Sequence, residues 1–148
     1  MKKKTVYCII LALWLSFIFG QSCVPLQASK GESDIFVRFF SFLPLDSAIM
    51  ETAVRKAAHV FEYLVLSAVF ASGFPVFGKR IKYVYPLFFS LITAVLDEYL
   101  QFFTGRGSQV PDVLIDFAGA VIGVLIFRMI YKSRDCQNNK SDANKKHL

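Results

Sequence analysis

Apolar residues recur in runs of about span length, broken by short polar or glycine-containing stretches. A bilayer-crossing helix needs about 20 predominantly apolar residues. The first run, Val6 to Phe19, follows Lys2-Lys3-Lys4, and two readings are open for it. A charged start before a short apolar core is the layout of a cleaved signal peptide, with Ala28 before Ser29 as a cleavage site. The alternative is a retained span over residues 5–24, preferred because the cleavage motif is poor; a lipoprotein site at Cys23 lacks the large apolar residue expected upstream. The chain is polar from Gln21 to Ser33, and residues 25–51 are expected to form an extracytoplasmic loop. Within it, Ile35 to Leu43 is aromatic, too short to cross and interrupted by Arg38, and is expected to lie as a short helix on the bilayer surface. Residues 52–131 hold three further spans. The second runs from Thr52 to Phe74, ends before Pro75 and is followed by the basic turn Phe77-Gly78-Lys79-Arg80. The third runs from Lys82 to Phe103, with Pro86 early enough to be tolerated. The fourth opens at Pro111-Asp112, where proline suits a first helical turn, and ends near Tyr131. The polar stretch 132–148 is expected to be disordered. The pattern predicts an all-α, polytopic membrane bundle of about four transmembrane helices plus one interfacial helix.

Composition agrees: 55% of the 148 residues are hydrophobic, 19% are charged and the net charge is +6. The basic residues cluster at the termini and in one short loop, which excludes a nucleic-acid groove and reads as an orientation signal. With the N-terminus inside, twelve Lys and Arg fall on the inner side, among them Lys2 to Lys4, Lys79, Arg80, Lys82 and Arg128. Lys30, Arg38, Arg55, Lys56 and Arg106 fall outside. Both termini are therefore expected in the cytoplasm, and removing the first run would not change the orientation of the other spans. Cys8, Cys23 and Cys136 make no disulfide framework.

Against this apolar background, ionisable groups within spans stand out, because each costs about 2.5–3.5 kcal/mol on insertion scales. Three clusters carry them: Lys56, His59 and Glu62; Asp97, Glu98 and Gln101; Asp112 and Asp116. The orientation places all three at the outer end. At about 100° per residue, Arg55, Lys56, His59, Glu62 and Tyr63 share an arc of roughly 120°. Asp97 and Gln101 extend a stripe through Thr93 and Ser90, with Glu98 to one side. Asp112 and Asp116 share a face with Gly119 and Gly123, a small-xxx-small surface suited to another helix. With Arg106 included, five carboxylates face three cations, a balance of −2 with His59 neutral. Such a site must hold protons, admit water or recruit a cation.

Three readings follow. His59 and Glu62 can act as a proton-transfer pair, with the remaining polar groups orienting them. The polar groups can instead serve only as interhelical glue. A divalent metal is a third option, since His59 and Glu62 stand one turn apart near other carboxylates, but the spacing is not that of a recognised ligand set. No cofactor is assigned. Arg106 is read as an anion contact at the start of the fourth helix. Ser67 and Ser90 sit beside no base, and His147 in the tail is uninformative.

Lys56-Ala57-Ala58-His59-Val60-Phe61-Glu62-Tyr63 resembles the K-x-x-H-x-x-E-Y motif of the VanZ-like family of bacterial membrane proteins. Asp97-Glu98-Tyr99-Leu100-Gln101, followed by Gly105-Arg106, is similar to its D-E-x-x-Q and G-R elements. Asp112, Gly119 and Gly123 match its final aspartate and paired glycines. The resemblance covers about residues 53–127 in order and spacing. The family often has Asn at the position of Asp116, Gly near Ser67 and Pro near Thr104. The family's name member is associated with low-level resistance to teicoplanin, a lipoglycopeptide acting on cell-wall precursors outside the cytoplasmic membrane. The resemblance implies a multi-pass protein of that membrane, with the bilayer and a lipid-linked precursor or lipoglycopeptide as expected partners. It names no reaction and no oligomeric state.

Overall fold

In the computed structural model, described over residues 2–23, 47–104 and 110–145, every long element is a helix. They are α1 (Lys2–Ser22), α2 (Ser47–Val76), α3 (Val84–Phe103) and α4 (Val110–Lys145). Each contains a stretch long and apolar enough to cross a membrane: Lys2–Ser22, Thr52–Val76, Val84–Phe103 and Val110–Arg134. The fold is an all-α bundle with four candidate membrane spans, and no strand occurs among the described residues. The expected interfacial helix, Arg106 and His147 lie outside the described residues.

The bundle is apolar outside and polar within. Leu13, Phe88, Val95, Phe102, Leu114 and Met129 point outward, whereas Ser22, Ser67, Ser90, Thr93, Asp97, Glu98, Gln101 and Asp116 are buried. In water that distribution would leave a large apolar surface unpartnered. In a bilayer it is what the solvent requires, because hydrocarbon covers the apolar faces and the polar groups find one another.

Helices α2 and α4 make the most extensive pairing. Their backbones touch at Gly119 and Gly123, where an added Cβ would meet the carbonyl oxygens of Val60 and Leu64 respectively. Ser67 Oγ donates to the Ala120 carbonyl at 2.8 Å across the same seam. A serine at this close approach therefore supplies an interhelical bond as well as small size. Helix α3 packs on α1, α2 and α4 together, which buries two adjacent stripes of its surface rather than one.

Several boundaries differ from expectation. Helix α2 continues through Pro75 to Val76, because a proline in the last turn forfeits only one backbone bond. Gly78, at φ 67°, then ends it: Lys79 N–H reaches the Phe74 carbonyl at 2.7 Å and Gly78 N–H reaches the Pro75 carbonyl at 3.1 Å. That is the paired-bond left-handed cap for which glycine is favoured. Helix α4 does not stop at Tyr131 but runs to Lys145, through a polar stretch that contains neither proline nor glycine to break it. Helix α1 begins at Lys2, ahead of the expected residue 5, and ends at Ser22, close to the expected residue 24.

Helix α1 is tied into the bundle. Ile18 is fully buried in a cluster with Tyr63, Leu66, Ala94 and Ala120. Trp14 Nε1 donates to the Glu62 carbonyl at 3.0 Å and the Tyr7 hydroxyl to the Phe70 carbonyl at 3.3 Å. Removing α1 would expose Asp97 and the core beside it. The purified protein is therefore expected to retain α1, with an intact mass that includes it; a mass matching cleavage between residues 20 and 30 would contradict this.

Candidate functional site

At one end of the bundle α2 begins, α3 ends and α4 begins, so polar groups near those ends of three chain segments meet. His59 on α2 is the centre. Its Nδ1 stands 3.5 Å from Asp116 Oδ1 on α4 and 4.0 Å from Asp97 Oδ2 on α3. Asp97 is fully buried and Asp116 is 1% exposed, while the His59 side chain is 20% exposed. The imidazole thus lies between two sequestered carboxylates and the surface.

Asp97 is held from two sides. Ser22 Oγ, at the end of α1, donates to Asp97 Oδ1, and Gln101 Nε2 donates to Asp97 Oδ2 at 3.0 Å. Thr104 Oγ1 donates to the Ser22 carbonyl at 3.1 Å, fastening the end of α1 to that of α3. Asp116 differs. It lies at charge-pair distance from His59, yet neither of its buried oxygens has a hydrogen-bond donor. The Tyr63 hydroxyl, also buried, has no hydrogen-bond partner.

Above this buried layer, Lys56 Nζ pairs with Asp112 Oδ1 at 3.2 Å, with the two side chains 41% and 30% exposed. Arg55, Lys56, His59, Glu98, Gln101, Asp112, Ile115 and Asp116 enclose a cavity of about 20 Å3. That is room for about one water. The cavity suits a small ion, a water or the tip of a larger polar group. Because Lys56 and Asp112 are half in solvent, their pairing contributes little to stability. Lys56→Met is expected to lower the unfolding free energy in micelles by less than about 1 kcal/mol; equilibrium unfolding monitored by circular dichroism measures it.

The structure brings Lys56, His59, Asp97, Glu98, Gln101, Asp112 and Asp116 together. Glu98 does not stand aside as the helical stripe implied: it is buried and lines the cavity, because α3 is covered on two faces. Glu62 is half-buried one turn beyond His59, with its carbonyl accepting from Trp14. Tyr63 belongs to the apolar core cluster. Gly119 and Gly123 form the α2–α4 contact rather than the pocket. Ser22 is the site residue that sequence reasoning missed. A lone serine at the end of an apolar run carries no motif, and only the docking of α1 shows its purpose.

A family model described as VanZ/LLP1 matches residues 7–131, taking in α1 as well as the three spans that carry the polar clusters. No curated protein and no solved structure gives a significant match.

Proposed function

The chain belongs to the VanZ/LLP1 family, and on that premise we propose that it acts at the envelope of a bacterial cell, through a polar pocket opening on the extracytoplasmic side of the cytoplasmic membrane. The observation that carries this reading is the convergence of His59, Asp97 and Asp116 from three helices beneath a rim holding Arg55 and Lys56. Charged groups inside a bundle are retained for a purpose when they meet at one solvent-reachable place. The count of basic residues, twelve inside against five outside, supports the outward direction.

The cavity holds about one water, so a substrate or ligand engages only by its tip. Arg55 and Lys56, with Arg106 in the connection before α4, favour an anionic tip such as a phosphate or carboxylate. Lipid-linked wall precursors present such groups at the outer leaflet. In this reading His59 and Glu62 move the proton, and Asp97, Glu98, Gln101 and Asp112 orient them. Lowered teicoplanin susceptibility is the cellular outcome. A structural reading has its own support, since the His59–Asp116 and Lys56–Asp112 pairs both tie α2 to α4.

Cells expressing the protein are compared with cells expressing His59→Gln or Glu62→Gln at matched membrane abundance. The proposal expects both variants to lose the protection against teicoplanin that the parent gives. Equal protection at equal abundance would overturn it, and loss of the protein itself would favour the structural reading. Mass spectrometry of envelope precursors from the same cells separates an enzyme, which leaves an altered species, from a binder, which does not.

A further inference from the structure

We propose that His59, Asp97 and Asp116 bind one divalent transition-metal cation of the Zn2+ or Mn2+ type. One donor atom from each of the three residues lies within 4.8 Å of the others. The His59 Nδ1 separations, 3.5 and 4.0 Å, are close to the ~3.4 Å between two ligands about 2.1 Å from a tetrahedral ion.

An independent observation points to an occupant. Asp116 is 1% exposed, and both its oxygens, like His59 Nδ1, are buried without a hydrogen-bond partner. A sequestered carboxylate without donors is strongly unfavourable as an anion, and its usual remedies are a proton, a paired cation or a coordinated metal. Lys56 does not serve, because its ammonium is engaged by Asp112. A protonated His59 would supply one positive charge for two carboxylates. A divalent ion supplies two, and a deprotonated Nδ1 would be its nitrogen ligand.

The surroundings fit a ligand set. Ser22 and Gln101 hold the Asp97 carboxylate in place, as hydrogen-bond donors around metal-binding carboxylates do. The adjoining cavity of about 20 Å3 has room for a water as a further ligand. One imidazole with two carboxylates favours a borderline ion over Mg2+ or Ca2+, which prefer all-oxygen shells of six or more ligands. The three residues come from separate helices, so no local spacing announces them. The inference deepens the reading of the pocket, leaving Glu62 rather than His59 as the base, but its readout is metal content and not a cellular phenotype.

The test uses the full chain, purified in detergent with a non-histidine tag and carrying His147→Gln, which removes the other histidine. After chelation, Zn2+ is titrated calorimetrically and the desalted protein is assayed for metal. About one Zn2+ per chain is expected, with Asp116→Asn and His59→Gln each weakening binding at least ~10-fold. Gly20→Ala, a position with open space around it, should bind as the parent does. Binding well below one equivalent, or parent-like affinity in both ligand variants, would overturn the proposal. Should those variants fail to fold, pulsed electron paramagnetic resonance of the parent loaded with Mn2+ decides: imidazole nitrogen coupling supports the site, and its absence overturns it.

Discussion

Gly123→Leu is expected to prevent the bundle from assembling, with membrane abundance falling to a small fraction of the parent's. A side chain at this position meets the Leu64 carbonyl oxygen and Ser67 Oγ. The Leu64 contact is backbone, which cannot rotate away, so α2 and α4 must separate. Overpacking in a core costs about 1–3 kcal/mol and more where the backbone has to move; at this seam at least about 3 kcal/mol is expected. Separation would also break the Ser67–Ala120 bond and draw His59 away from Asp116, since these lie on the same two helices. The glycines grade the effect. Gly119→Ala, against the Val60 carbonyl, should be nearly as harmful. Gly73→Ala meets only the Tyr7 side chain, which can swing aside, and Gly20→Ala meets nothing. Melting temperatures in detergent should follow that order, and a Gly123→Leu protein as abundant and stable as Gly20→Ala would show that the helices do not meet at this seam.

Asp97→Ala should release α1 from the bundle. Asp97 accepts from Ser22 on α1 and from Gln101, and both donors are buried. Removing the acceptor orphans the Gln101 amide, at about 1–3 kcal/mol, leaves Ser22 Oγ only the long bond to the Ile18 carbonyl at 3.3 Å, and opens a gap beside His59. An expected loss of about 2–5 kcal/mol follows. The chain's one tryptophan, Trp14, reports the consequence because it lies between α1 and α2 with its indole N–H on the Glu62 carbonyl. Its emission should become markedly more quenchable by brominated lipid in Asp97→Ala, whereas Asp97→Asn, which keeps an acceptor oxygen, should show a smaller change. Unaltered quenching in Asp97→Ala would show that α1 docks without this contact.

The spans were legible because their signal is local: runs of apolar residues punctuated by Pro75, Gly78 and Pro111. Gly119 and Gly123 could be read as a contact surface because two small residues four apart admit another backbone wherever they face one. Helical phase likewise placed Asp97 with Gln101 and Asp112 with Asp116 on shared faces. Phase alone does not say how many neighbours a helix has. Glu98, a member of the polar cluster by sequence but set to one side by helical phase, is buried because α3 is flanked on two sides and buries residues 100° apart. Nor does it say how far each helix is rotated about its axis. Asp116, which adds a charge where the family often has Asn, is the carboxylate at 3.5 Å from His59. The part played by Ser22 depends on α1 docking against α3, a contact between residues 75 positions apart. Helix α4 runs on beyond Tyr131 because a polar stretch without proline or glycine does not break a helix, whatever its composition suggests.

The pocket is proposed to open to the outside of the cell, and cysteine accessibility decides between the two orientations. In a background with Cys8, Cys23 and Cys136 replaced by serine, Lys56→Cys places a thiol at the rim, where the native side chain is 41% exposed. Lys79→Cys places one at the exposed turn after α2, at the opposite end of the same helix. In intact cells a membrane-impermeant maleimide should label the thiol at position 56 and spare that at position 79 until the membrane is opened. Labelling at position 79 in intact cells, with position 56 protected until lysis, would contradict the account.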